Sequence, residues 1–260
     1  MPEICQQFLP IRPWEEDRMR RLPGLNPIAP GEWLLVDDAY KAQMAHRRGL
    51  IATKGDVVHR LSDQARPAAE ELLDLVIEEL HGIDGFTVQE DHVICPDGMR
   101  VEINRDDPLR TAGALVQEDL VIMEKIGEEH VLTGAVLCFP ASWSLSQKFM
   151  KPMTRIHVPV AEYTQEIARR VQRLFDGIQV ERPIWRANAL IYNDPELHQP
   201  RTEEDRRAPV DHDQKWVRVE RQGMRRLATS RAVIFSIHTF VVPEARLIEL
   251  GHTLPQREEA

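Results

Sequence analysis

Between Phe139 and Val160 the chain reads Phe-Pro-Ala-Ser-Trp-Ser-Leu-Ser-Gln-Lys-Phe-Met-Lys-Pro-Met-Thr-Arg-Ile-His-Val-Pro-Val. Lys148, Lys151 and Arg155 lie close together along it, and His157 stands among Ile156, Val158 and Val160, stiffened by Pro159. An imidazole in apolar surroundings with cations just upstream suits a flat apolar dianion such as heme. The ring nitrogen serves the iron, the apolar side chains the porphyrin and the cations the propionates. The same residues also read as a core histidine preceded by solvated lysines, and spacing leaves both readings open. His130 and His238, each in a strand-like run, are rival iron ligands. Cys138 is a further candidate as a thiolate, although free cysteine commonly packs as a small apolar side chain.

A second group of polar residues shares a strand face. Residues 216–222 alternate, so that Trp216, Arg218, Glu220 and Gln222 point one way and Val217, Val219 and Arg221 the other. If Val217 and Val219 face the core, Arg218, Glu220 and Gln222 line up across the opposite surface. A structural ion pair of Glu220 with Arg218 or Arg226 is one reading of them. Asp211-His212-Asp213 has metal-binding residue types, but its polar, proline-punctuated surroundings read as solvated turn chemistry.

Composition limits what these residues can serve. The 260-residue chain is 42% hydrophobic and 29% charged, enough to bury a sizeable core, and its net charge is −9. That balance argues against nucleic acid or an anionic membrane as the main partner. No stretch approaches the roughly 20 apolar residues of a membrane span. The start, Met-Pro-Glu-Ile-Cys, lacks a basic-then-apolar secretory pattern, and a cytoplasmic location is expected. Three cysteines without Cys-x-x-Cys spacing indicate neither a disulfide framework nor a zinc site. No glycine-rich nucleotide fingerprint occurs.

The elements that must position these residues follow from periodicity. Residues 1–31 hold Pro2, Pro10, Pro13, Pro23, Pro27 and Pro30, and are expected as an irregular arm laid on one domain formed by residues 32–260. Asp37 or Asp38 can cap a helix running to Arg48, with Gly49 ending it. Leu72, Leu73, Val76, Ile77 and Leu80 recur at helical spacing over residues 67–80, opposite an acidic face. Short helices are expected over 108–116 and 143–149, the latter capped by Ser142, and a longer one over 162–175. Strands are expected over 86–89, 92–95, 99–103, 119–126, 131–139, 184–192, 216–222 and 232–242, with a last helix over 243–250. The class is α+β, a mostly antiparallel sheet with helices packed on one side.

Trp33, Asp37, Tyr40, Gln117-Glu118-Asp119-Leu120, Phe139-Pro140-x-Ser142 with Lys148, Ile156-His157-x-Pro159-Val160, Arg186-x-Asn188, Arg218-x-Glu220-x-Gln222 and Arg226-Leu227-x-x-Ser230 occur in that order. Over residues 32–243 the chain resembles the heme-dependent oxidative N-demethylase alpha-subunit family. The resemblance implies a PAS-like fold, an antiparallel sheet with flanking helices around heme b. It also implies oxidative demethylation of dimethylamine or a similar small alkylamine, using O2 and electrons from a separate flavin and iron–sulfur reductase. On that reading His157 is the iron ligand, Lys148 and Arg155 pair with propionates, and Glu220, Gln222, Arg218 and Asn188 face the amine. Tyr163 is placed to donate a hydrogen bond to oxygen. Two positions depart from the family pattern: Ala189 stands where a Trp is usual, putting the substrate in question, and Ala228 where a Pro is usual. A non-catalytic heme or small-ligand sensor of PAS-like fold is the alternative function.

Overall fold

The computed structural model describes residues 1–20, 24–156, 165–205 and 214–255. Its strands are Asn26–Pro27 (β1), His59–Leu61 (β2), Thr87–Val88 (β3), His92–Ile94 (β4), Arg100–Glu102 (β5), Asp119–Ile126 (β6), Glu129–Val136 (β7), Ile184–Tyr192 (β8), Trp216–Arg226 (β9) and Val233–Pro243 (β10). Its α-helices are Asp17–Arg20 (α1), Tyr40–Thr53 (α2), Gly55–Val58 (α3), Arg66–Leu80 (α4), Pro108–Leu115 (α5), Leu145–Lys148 (α6), Met153–Ile156 (α7), Gln165–Gly177 (α8) and Glu244–Glu249 (α9). Seven strands form one sheet in the order β1-β8-β9-β10-β6-β7-β2, and β3-β4-β5 form a small second sheet. Every pairing between these strands is antiparallel.

Helices cover both faces of the large sheet, which corrects the expectation of helices on one side. Alternation decides the division. Leu120 and Ile122 of β6, Val136 of β7 and Ile234 of β10 pack with Leu72, Leu73 and Val76 of α4 and Leu109, Ala112 and Leu115 of α5. Their neighbours Val121, Met123, Ala135, Leu137 and Val233 face the other way, onto Leu145, Met153, Phe175 and Ile178. Gly113 of α5 lies against β7 so closely that an added Cβ would sit 2.6 Å from Val136 Cγ2. Farther along β8–β10, Leu9 of the arm and Leu247 of α9 pack on Ala187, Val217, Val219 and Phe240.

Local chemistry accounts for other departures. The arm contributes β1, which pairs Asn26 with Trp185, so it extends the sheet as well as lying on it. Gly49 sits inside α2, which runs on until the Lys54 N–H bonds to Leu50 O. Asp37 caps a preceding turn instead of α2, accepting the Ala39 N–H at 2.9 Å. Ser142 adopts φ +62° and places its hydroxyl 3.1 Å from the Tyr192 hydroxyl, leaving Ser144 at the start of the four-residue α6. β7 stops at Val136, and Cys138 and Phe139 beyond it give their N–H groups to Asp119 at 2.7 and 3.0 Å.

Candidate functional site

Three neighbouring strands bring polar residues to the face opposite the arm. Asn188 of β8 and Thr239 of β10 lie directly across from Glu220 of β9, while Arg186 and Ile237 lie across from Gln222. Arg186-x-Asn188 and Arg218-x-Glu220-x-Gln222 therefore converge because each pair is two residues apart on extended chain. Glu220 is 5% exposed. Its Oε1 lies 3.4 Å from the Arg218 guanidinium but accepts no hydrogen bond, and Gln222 Nε2 reaches its Oε2 only at 3.4 Å. Arg218 spends its terminal N–H groups on the carbonyls of Phe139 and of Leu197, the latter at 3.1 Å. Burial therefore raises the Glu220 pKa against the opposing pull of Arg218.

Glu220 is not alone in lacking partners. Arg186 Nε, Asn188 Oδ1, Arg218 Nε and Thr239 Oγ1 are also buried without a hydrogen bond among the described residues. Burial lowers the Arg186 pKa, with no carboxylate opposing it among the described residues. Buried polar atoms are nearly always paired, so five unpaired ones on one patch leave hydrogen-bonding capacity there for a water or a ligand. Arg226 takes no part in this patch. Its guanidinium donates to the carbonyls of Phe175, Ile178 and Arg231, which rules out the Arg226–Glu220 ion pair. Ala189 lies on the other face of β8, packed with the arm-facing cluster, so the exchange of a Trp for Ala there does not reshape this patch.

Lys148 comes from α6. Its Nζ donates to the Ile156 carbonyl at 3.1 Å and lies 5.0 Å from the Trp143 ring centre. Burial brings its pKa down to about 8. Arg155 points away to an exposed bidentate pair with Glu203, at 2.8 and 3.1 Å. His157 and Tyr163 lie outside the described residues, as does Asp211-His212-Asp213.

The rival iron ligands are otherwise engaged. His238 is held between Glu118 Oε1 and Asp37 Oδ2, at 3.0 Å from each ring nitrogen, on the arm side of the sheet. Burial would lower its pKa, but the two carboxylates overcome it and raise it to about 9. His130 is buried against Phe175 of α8, with Nδ1 2.6 Å from Gln172 Nε2. Cys138 is buried, its thiol pushed up to about 12, so it is a thiol and not a thiolate near neutrality. No group of three or more His, Cys, Asp or Glu suited to a metal ion exists among the described residues.

Asn188, Glu220 and Gln222 thus come together as the sequence suggested. Arg186 and Thr239 are added to them, and Arg155 stands apart. Arg186 was legible through its two-residue spacing to Asn188, whereas the strand pairing that sets Thr239 across from Glu220 is not.

An antiparallel sheet with helices on both faces and a buried, unsatisfied polar patch defines an α+β domain suited to a small ligand. The chain belongs to the family described as haem-dependent oxidative N-demethylase, alpha subunit-like, whose sequence profile matches residues 24–256. That match takes in the resemblance over 32–243 and extends it at both ends. No curated protein matches the chain. No helix among the described residues is long and apolar enough to cross a membrane.

Proposed function

We propose that this chain binds heme b over the β8–β10 face, in a PAS-like domain formed by residues 32–260, and oxidatively demethylates a small alkylamine of the dimethylamine type. The observation that carries the reading is the buried carboxyl of Glu220, unpaired at Oε1, within a patch of unpaired polar atoms in a chain of this family. A secondary amine is a cation near neutral pH, and a carboxylate away from bulk water attracts it strongly. Glu220 holds the ammonium N–H, and Asn188 and Gln222 orient the carboxylate. Arg218 keeps the strand end fixed through the Phe139 and Leu197 carbonyls.

The described residues suit heme at its rim: Lys148 is a desolvated ammonium whose described hydrogen-bond partner is a carbonyl, leaving its charge for a propionate. His157, one residue beyond the carbonyl that Lys148 holds, is the proposed iron ligand. Tyr163 supplies a hydroxyl donor within the pocket. When bound, heme supplies the iron that activates O2. Electrons come from a separate flavin and iron–sulfur reductase, and the protein works in the cytoplasm.

The test is an absorption spectrum of the purified protein with and without reductant, repeated with His157→Ala, then formaldehyde release from dimethylamine with a reductant. A Soret band that His157→Ala removes or shifts, together with formaldehyde, supports the reading. No Soret band after reconstitution with heme sinks it. A Soret band without turnover of any methylamine leaves the sensor alternative in its place.

A further inference from the structure

Arg186 and Glu220 are opposite charges on neighbouring strands of one face, yet they do not pair. Glu220 has Arg218 within 3.4 Å, and Arg186 has no ion pair among the described residues. The two sit on a diagonal: Arg186 is across from Gln222, two residues from Glu220, and Asn188 is across from Glu220, two residues from Arg186. Such diagonals are about 7–8 Å apart at the backbone, a spacing that a small ligand can bridge. Each of the two has an unmet atom, Nε of Arg186 and Oε1 of Glu220, and Oδ1 of Asn188, across from Glu220 and two residues from Arg186, is unmet as well.

We infer that this patch recognises a zwitterion, a methylated ammonium with a carboxylate one carbon away, so that the preferred substrate class is an N-methylated amino acid and not a bare alkylamine. The inference rests on the proposed role of Glu220 towards an amine. The ammonium lies against Glu220 and the carboxylate on Arg186, whose planar guanidinium can give two parallel N–H donors to it. In a monomethylated amino acid, which carries two N–H groups, Asn188 Oδ1 accepts the second. One neutral-overall ligand then satisfies both buried charges, whereas a simple amine leaves Arg186 without a counter-ion. The shifts run the same way: burial disfavours the charged form of Arg186 and of Glu220 alike, and a ligand bringing the complementary charge to each relieves both.

Calorimetric titration of the full-length protein, with its heme content measured, would compare dimethylglycine with dimethylamine, which lacks the carboxylate, and propionate, which lacks the amine. Dimethylglycine is expected to bind about tenfold or more tightly than either, a margin typical of one charge-assisted contact. Arg186→Met should abolish that margin, with heme content as in the unaltered protein. Dimethylamine binding as tightly as dimethylglycine would overturn the inference while leaving the amine site intact. Loss of heme in Arg186→Met with the ligand order unchanged would also overturn it, assigning the guanidinium to a propionate. Should that variant not fold, the ligand order of the unaltered protein still decides. If no amine binds and Glu220→Gln changes nothing, the underlying reading of Glu220 fails as well.

Discussion

Glu220 concentrates the chemistry into a single side chain. Its carboxyl is buried, lies beside one guanidinium that is committed to two carbonyls, and has its pKa raised by desolvation. Glu220→Gln deletes the charge and keeps the shape. Amine affinity, followed by perturbation of the absorption spectrum or by calorimetry, is expected to fall on the order of a hundredfold, since a desolvated charge partner is lost. Thermal melting should stay near native, because burial already works against the charged form. The pH dependence has a defined sign. The folded-state pKa of Glu220 is raised, so the carboxylate that attracts the cation is lost as pH falls through that raised value. Amine binding should weaken on the acid side in the unaltered protein and show no such limb in Glu220→Gln. An unchanged acid limb in the variant would assign it to another group.

Two contacts between elements fix how helices and loops sit on the sheet. The first is the close approach of α5 to β7. Gly113→Ala would ordinarily favour a helix by about 1 kcal/mol. Here the new Cβ would meet Val136 Cγ2 at 2.6 Å and Cγ1 at 2.7 Å, atoms of a β-branched side chain with little freedom to turn away. The variant should therefore be less stable by about 1–3 kcal/mol in a denaturant titration; a gain in stability would show that α5 can slide. The second contact is Asp119, fully buried, which accepts Arg47 Nη1 at 2.6 Å and the N–H groups of Cys138 and Phe139. It thereby joins α2 to the segment whose Phe139 carbonyl receives Arg218. Asp119→Ala leaves Arg47 buried without its ion partner, and a loss of about 3–5 kcal/mol is expected. Weaker ligand binding should accompany it, because Arg218 then anchors to a loosened loop.

Across the whole molecule, the arm and the segments leading into α2 and β6 meet β10 around His238. Gln6 donates to Asp37 at 2.8 Å and Gln117 to Asp37 at 3.0 Å, while Glu118 and Asp37 flank the imidazole. The folded-state pKa of about 9 stands above the ordinary 6.5. A group raised in this way contributes its full stabilisation below the unfolded value and loses it as pH climbs through the folded value. The window is therefore about pH 6.5 to 9, and the contribution is on the order of 3 kcal/mol. Chemical denaturation at about pH 6 and at about pH 9.5 should show the unaltered protein losing this amount relative to His238→Gln. Equal pH slopes in the two proteins would mean that the imidazole is not charged in the folded state.

The sequence by itself determined which residues share a face. Short runs of strand-forming residues predict β6 over 119–126 and β8 over 184–192 with their observed bounds, and the two-residue spacings that gather Arg186 with Asn188, and Arg218 with Glu220 and Gln222, are visible without any fold. Periodicity is local, and extended chain imposes it on every residue alike. What a face meets is not local. Only the tertiary structure decided that Arg226 turns to the end of α8 and not to Glu220, that Ala189 faces the arm, and that His238 is clamped by two carboxylates from distant segments. It also decided that helices lie on both sides of the sheet, since an amphipathic helix signals a buried stripe without naming the sheet face that buries it. Gly49 within α2 and Ser142 at φ +62° follow the same logic. Gly49 was legible as a stop and Ser142 as a cap; α2 runs on through Gly49 to Thr53, and Ser142 is held by Tyr192 and the Gln199 carbonyl, which are distant in the chain.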